Sequence, residues 1–326
     1  MGALIAIIAD TWRQSRQQVV FLIMLGLLAL TALTTVALVH TVEVTTDDGA
    51  VVEKVVVYGI DDAGELLSEG WAGLYSTSIL AEYVNEGESV DPFSEEGQEL
   101  QQKLFDFAAL EAQTEPKRRA VETLIWAVGF VVYVVSMMLF IAACAGYFPA
   151  LLEAGAVDIV LAKPLERWKI FLGKYLGGMA LFTAALLGTY ALLFFGLGLR
   201  TGVWHPAIFM VMPLQVLSAG TLFALIALLG VIRGSTALAM IVGYGYYLIV
   251  DKIMQFLLFA NFGGEGWQSL QKVLRAAIPN FVRVRDTALM AVINAPATDW
   301  QPVMVMFAWL LLSLGLGYWI FHRRDF

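Results

Sequence analysis

One cysteine, three histidines and a charged fraction of only 15% are spread over a chain of 326 residues. The lone Cys144 sets no disulfide framework and offers no metal-ligand spacing, and inside its apolar run it reads as a small buried hydrophobe. His40, His205 and His322 sit at the ends of different segments and make neither a metal site nor a catalytic triad. The sequence contains no His-Glu-x-x-His, no convincing serine-nucleophile motif and no Gly-x-x-x-x-Gly-Lys-Ser/Thr phosphate loop. These gaps leave little support for hydrolytic chemistry and none for nucleotide binding by this chain. No internal repeat at a fixed period is present.

What is abundant is apolar. Hydrophobic residues make up 59% of the chain and the mean hydropathy is +0.74, too apolar for an ordinary soluble domain. A bilayer core about 30 Å thick takes roughly 20 apolar residues per helix. Runs of that kind fall near 19–40, 121–146, 170–199, 207–232, 235–260 and 302–321. The fourth and fifth are separated only by the Arg233-Gly234-Ser235 turn, which forces an antiparallel helical hairpin.

Charge divides unevenly along the chain. Residues 41–119 hold 18 Asp and Glu against 5 Lys and Arg, a balance of −13, so the remainder carries +5 of the total −8. An acidic insertion is thus grafted onto a mildly basic membrane body. Short loops on the cytoplasmic side retain Lys and Arg, which favours both termini inside. The inner segments then collect Arg13 and Arg16, then Lys163, Arg167, Lys169 and Lys174, then Arg233, then Arg323 and Arg324. Lys117, Arg118 and Arg119, and Arg275, Arg283 and Arg285, run against this pattern in long outer segments that are translocated regardless of charge.

Residues 1–18 place Leu4, Ile8 and Trp12 on one helical face, as in a short helix lying in the membrane interface. A signal peptide is the alternative, but the apolar run that follows is long for one and lacks a clear cleavage site. Within 41–119, polar and apolar residues alternate around Asp47-Asp48-Gly49, a β-hairpin pattern. Ser94 then precedes Leu100, Leu104, Phe107 and Leu110 at helical spacing, with Ser94 as N-cap. Together these predict a small α+β module. Residues 261–301, amphipathic and broken by Pro279 and Pro296, predict short helices at the outer interface, dipping into the membrane where protein covers them.

Between the second and third spans lies LLEAGAVDIVLAKPLERWKIFLGK, residues 151–174. The stretch from Tyr147 to Ala162 has room for a helix of about four turns, which Pro164 stops because it lacks an N–H and disfavours helical geometry in the residue before it. A helix held between two spans passes a push from a partner to both. The run EAGAVDIVLAKPLERWKIFLGKY resembles the cytoplasmic coupling segment of permease subunits of type-2 ATP-binding-cassette (ABC) transporters. That segment shows a Glu, a Gly soon after it, an aliphatic run, a Pro in a short turn, an Arg, and Gly-Lys opening the next helix. The matching positions are Glu153, Gly155, Leu161, Pro164, Arg167, Gly173 and Lys174, with Trp168 and Lys169 in the same segment. The second acid and the Thr often found around the family's Gly are here Leu152 and Ala156. More loosely, the resemblance extends to the interfacial helix, the six spans, Ile278-Pro279-Asn280 and the basic terminus FHRRDF.

The resemblance implies an all-α polytopic protein of six transmembrane helices, with an interfacial helix at 1–18, a first span at 19–40, an α+β extracytoplasmic insertion at 41–119 and five further spans in 120–326. These five include a coupling segment at 147–169 and an outer amphipathic segment at 261–301. It implies a permease of a bacterial exporter-type ABC transporter in the inner membrane, not catalytic itself and binding no cofactor, with ATP and Mg²⁺ held by a separate ABC ATPase. A second permease copy, identical or similar, would complete the dimer. Glu153 would pair with a basic group on the ATPase, Arg167 and Lys169 would hold the segment at the phospholipid or ATPase surface, and Pro164 would set the turn.

Asp251 and Lys252 interrupt the fifth span, and with Tyr247 form a candidate polar site at membrane depth. They lie about 24 Å from Ser235 along a helix, where Lys can also snorkel to an interface. Tyr244, Tyr246 and Tyr247 fit a packed helix better than a path. Gly173 and Gly177 have the spacing of close helix approach. Membrane lipids and an extracytoplasmic partner of 41–119 are further expected contacts, and nucleic acid is not. A membrane-anchored scaffold or sensor is the rival reading, but it has no need for the Glu, Gly, Pro, Arg, Gly-Lys order. A secondary transporter would need intramembrane charge pairs or paired broken helices, which are thin here.

Overall fold

A bilayer offers backbone amides no water, so a chain crossing it must satisfy them within each helix. The computed structural model describes residues 19–45, 51–58, 60, 62–84, 94–152, 166–259, 265–295 and 300–323. Helix α1, Val19–Leu38, runs directly into strand β1, Val39–Thr45, which pairs antiparallel with β2, Val51–Val57, from Val39↔Val57 to Thr45↔Val51. Helices α2, Ala63–Val84, and α3, Glu95–Gln113, complete the insertion, and α4, Pro116–Cys144, returns through the bundle. Helix α5 is Arg167–Thr201 and α6 is Val211–Arg233, preceded by a 3₁₀ turn at Pro206–Met210. The fifth span is composite: α7, Thr236–Tyr244, a π-helical turn at Gly245–Val250, and α8, Asp251–Phe259. Two short helices follow, α9, Glu265–Ala277, and α10, Phe281–Met290, and α11, Gln301–Arg323, ends the described chain.

Among the described residues, six helices are long and apolar enough to cross a membrane, and with only one two-stranded sheet beside them the protein is an all-α polytopic membrane protein. The interfacial helix expected at 1–18 lies outside the described residues. Leu22, Leu30 and Leu33 of α1, Leu187, Phe195 and Leu199 of α5, and Phe307, Leu311 and Trp319 of α11 face outward, as a lipid-contacting surface requires.

The helix starts and stops follow local chemistry. Pro116 opens α4, where its missing N–H costs nothing. Ser94 accepts from the Gly97 amide at 3.0 Å and caps α3. Gly202 and Gly234 end α5 and α6 at φ values of +73° and +64°, conformations that glycine adopts without strain. Ser235 caps α7 one residue later, so α6 and α7 form the tight hairpin the sequence indicates.

One expectation fails locally. Where a continuous helix from Tyr147 was expected, residues 145–148 form a turn and Pro149–Leu152 a 3₁₀ turn. Pro149 has no N–H to donate to the Ala145 carbonyl, so α4 cannot propagate through it. Residues 153–165, which carry the rest of that expected helix, lie outside the described residues.

In lipid, helices gain little by hiding apolar surface from one another, so close packing has to hold them. Helix α6 is the centre, touching α4, α5, α7, α10 and α11. Its contacts are made close by glycines on α5 and α6 against which neighbouring side chains rest. A Cβ at Gly178 would stand 2.8 Å from the Phe223 ring and 3.0 Å from Tyr147, and one at Gly230 would stand 3.0 Å from Pro149 and 3.2 Å from Phe148. Gly188, on the same α5 helix, has open space around it. Replacing a mid-helix Gly by Ala normally stabilises by about 0.5–1 kcal/mol. Thermal unfolding in detergent should therefore show Gly188→Ala neutral to stabilising and Gly178→Ala clearly destabilising; equal midpoints for the two variants would contradict this packing.

Candidate functional site

The residues on either side of 153–165 converge on one aromatic cluster. Phe148, leaving α4, lies 5.0 Å from Phe171 at the start of α5 and 5.9 Å from Phe223 of α6, measured between ring centroids. Phe171 in turn meets Phe321 of α11 at 5.8 Å, and Tyr175 stacks on Phe223 at 5.0 Å. Four spans therefore share one buried cluster at this end of the bundle.

The charged residues nearby are tied inward. The Arg167 guanidinium donates to the His322 carbonyl at 2.7 Å, joining the start of α5 to the end of α11. Lys169 pairs with Glu166 at 2.9 Å, and the Trp168 indole donates to the same carboxylate. The Lys169 hydrogen bond, with that of Trp168, holds the exposed Glu166 carboxyl below its usual range. Lys174 is buried, as are Gly173 and Gly177, whereas Trp168 is exposed. Glu153, Gly155, Leu161 and Pro164 lie outside the described residues.

Midway along α6, a run of polar side chains faces inward. Tyr190 donates to Gln215 Oε1 at 2.6 Å, and Gln215 Nε2 donates to Ser136 at 2.6 Å. Tyr133 donates to Ser218 at 2.6 Å, and Ser218 to the Met306 sulfur at 3.3 Å. Thr221 reaches the Met306 carbonyl at 3.2 Å. None of Gln215, Ser218 and Thr221 is solvent-accessible, so these bonds replace water and fix the register of α4, α5 and α11 against α6. Sequence reasoning missed this ladder. Its signal was the spacing i, i+3, i+6 of Gln215, Ser218 and Thr221 in an otherwise apolar span.

The composite fifth span meets a backbone break. Helices α9 and α10 meet at a turn, residues 278–280, that packs against the fifth span and α11. The Trp309 indole donates to the Ala277 carbonyl at 2.7 Å from a point eight residues, or about 12 Å, into α11. Side chains satisfy the polar groups of this turn. Asp251 Oδ1 accepts from the Phe281 amide at 2.8 Å, Tyr246 donates to the Pro279 carbonyl at 2.9 Å, and Asn280 caps the Arg283 amide at 2.9 Å. Non-helical backbone is tolerated at such depth when protein covers it, and here three helices supply the cover. The π-helical turn just before Asp251 widens the helix and shifts which residues share its face, a feature often placed at functional positions. Asp251 is 1% exposed, and its Oδ2 has no hydrogen-bond partner among the described residues. Tyr247, Asp251 and Lys252, expected together, do line one cleft, joined there by Arg285.

At the end that carries the insertion, Glu122 of α4 is buried and receives the Trp71 indole at 2.8 Å and Arg118 at 2.9 Å, with His205 at 3.4 Å. The other His205 nitrogen lies 2.5 Å from the Val292 carbonyl. His205, set aside in the sequence as an isolated histidine, thus joins the insertion, α4 and the segment after α10. No group of three or more metal-ligating side chains occurs among the described residues.

Asp251→Ala should strip the Phe281 amide of its acceptor at a cost of about 1–3 kcal/mol, whereas Asp251→Asn keeps an acceptor oxygen and most of the stability. Thermal unfolding of the purified variants separates the two; equal loss would mean that charge, not capping, is what Asp251 supplies.

Compared with known protein families, residues 5–326 match the model described as ABC-2 family transporter protein. A comparison with curated proteins found no match.

Proposed function

This chain belongs to the ABC-2 transporter family, and we propose that it is the permease through which ATP hydrolysis on a separate ABC ATPase drives export across a bacterial cell membrane. The family and the six apolar helices make it a multi-pass membrane permease subunit of an ABC transporter. In this proposal both termini are cytoplasmic, the insertion lies outside, and two permease copies, identical or similar, work with two ATPases.

One observation carries the coupling step. Phe148 and Phe171, at the two described ends of the coupling segment, both pack into the cluster around Phe223 and Phe321. A displacement of residues 153–165 by the ATPase is then delivered to α4, α5, α6 and α11 together. Close-packed rings transmit such a push because they have no free volume to absorb it, and ATP binding supplies the difference in free energy between two arrangements. Glu153 and the Pro164 turn would face the ATPase. Arg167, tied to His322, keeps the start of α5 and the end of α11 moving as one.

The scaffold or sensor reading loses ground with the family assignment, since anchoring needs no shared cluster beneath a coupling loop. Affinity capture of the solubilised complex should recover an ABC ATPase in equal number with the permease. Replacing 153–165 by a neutral linker of equal length should abolish that recovery without removing the protein from the membrane. Phe148→Ala should keep the ATPase bound but reduce permease-dependent ATP hydrolysis severalfold. Unchanged capture by the linker variant would sink the docking role, and absence of any ATPase from the wild type would restore the scaffold reading.

A further inference from the structure

The cleft between the fifth span and α10 combines features that neither the capping role of Asp251 nor the coupling mechanism uses. Asp251 is almost wholly buried, yet only Oδ1 is satisfied, by the Phe281 amide at 2.8 Å; Oδ2 has no partner among the described residues. A buried carboxylate oxygen without a donor is costly. The nearest cations do not relieve it. The Arg285 Nε and Nη2 both donate to Asp286 Oδ1, at 2.9 and 2.6 Å, and its guanidinium lies over the Phe130 ring at 4.5 Å. Lys252, next in the chain, has its side chain exposed.

One carboxylate with an unused acceptor and two cations, Lys252 and Arg285, thus line the same cleft. Its other walls are apolar: Val134, Leu248, Phe281 and Val282. Arg285 keeps N–H groups beyond the two that Asp286 takes. The chemistry that fits is a ligand with a protonated amine for Asp251 Oδ2 and an anionic oxygen group for Lys252 and Arg285.

The surroundings say where such a ligand comes from. Asp251 lies fifteen residues from Thr236, about 22 Å along the span, in the half of a roughly 30 Å hydrocarbon core nearer the insertion. Leu248 of the cleft wall is exposed, as are Ile249, Ile253 and Phe256 on the same span. An apolar wall opening beside an exposed apolar helix face suits acyl chains, and it would reject a fully hydrated small ion.

We propose that this cleft binds an amino-phosphate headgroup, as carried by an ethanolamine phospholipid, with the amine on Asp251 and the phosphate between Lys252 and Arg285. A charge-assisted bond to a buried carboxylate is among the strong ones, so a headgroup whose nitrogen carries three methyl groups, and therefore no N–H, should bind about tenfold more weakly.

The test uses purified full-length protein in detergent, titrated with short-chain phosphatidylethanolamine, phosphatidylcholine and phosphatidylglycerol and read by native mass spectrometry. The wild type should favour phosphatidylethanolamine over phosphatidylcholine about tenfold. Asp251→Asn, which keeps an acceptor for Phe281, should erase that preference, and Lys252→Gln should weaken phosphatidylethanolamine and phosphatidylglycerol alike. Competition by free phosphoethanolamine at matched concentration would identify a soluble amino-phosphate as the ligand, and resistance to it would identify the lipid; either result supports the headgroup site. Equal binding of the ethanolamine and choline lipids, or a preference that survives in Asp251→Asn, overturns it.

Discussion

Everything in this protein is organised around the lack of water in the bilayer. Without water, a backbone amide or carbonyl outside a regular helix has to find a protein partner, and helices cannot rely on a hydrophobic drive to associate. The turn between α9 and α10 shows the first consequence: its backbone polar groups are met by Asp251, Tyr246, Asn280 and Trp309. The rings seated on Gly178 and Gly230 show the second, because shape has to do in lipid what water exclusion does in a soluble core.

These devices meet on α6. One end of it sits in the aromatic cluster around Phe148 and Phe171, its middle carries Gln215, Ser218 and Thr221, and its flank receives α10. Hydrogen bonds at the middle resist sliding between helices, whereas ring contacts at the end tolerate small rotations. On the proposed coupling role, a displacement entering at Phe148 would tilt the spans about this polar waist. The cleft at Asp251 lies on the far side of that waist, on a span that packs against α6 through the Gly234 hairpin.

Much of the architecture was legible because length and apolarity decide what crosses a membrane. The six spans, the hairpin at Arg233-Gly234-Ser235 and the Ser94 cap follow from local rules. Contacts between distant residues did not. Asp251 stood out as an ionisable group at membrane depth, but its partner is the Phe281 amide, thirty positions away, and a backbone amide leaves no mark in a sequence. Glu122 gave no sign of its role because Trp71 and His205 approach it from segments on either side. At the end of α4, Pro149 stops the helix from running on, and a 3₁₀ turn stands where a regular helix from Tyr147 was expected.

The way the insertion is fastened sets an order in time for its maturation. Its strands open where α1 ends, but Glu53 is matched by Lys117, Trp71 by Glu122, and the small core around Trp71 is closed by Ile293 and Ala295. An emerging chain reaches those last two residues only after five of its six spans have left the ribosome. The acidic module must therefore wait, incompletely packed, for nearly the whole polypeptide to be made, and its final closure coincides with completion of the membrane body that it crowns.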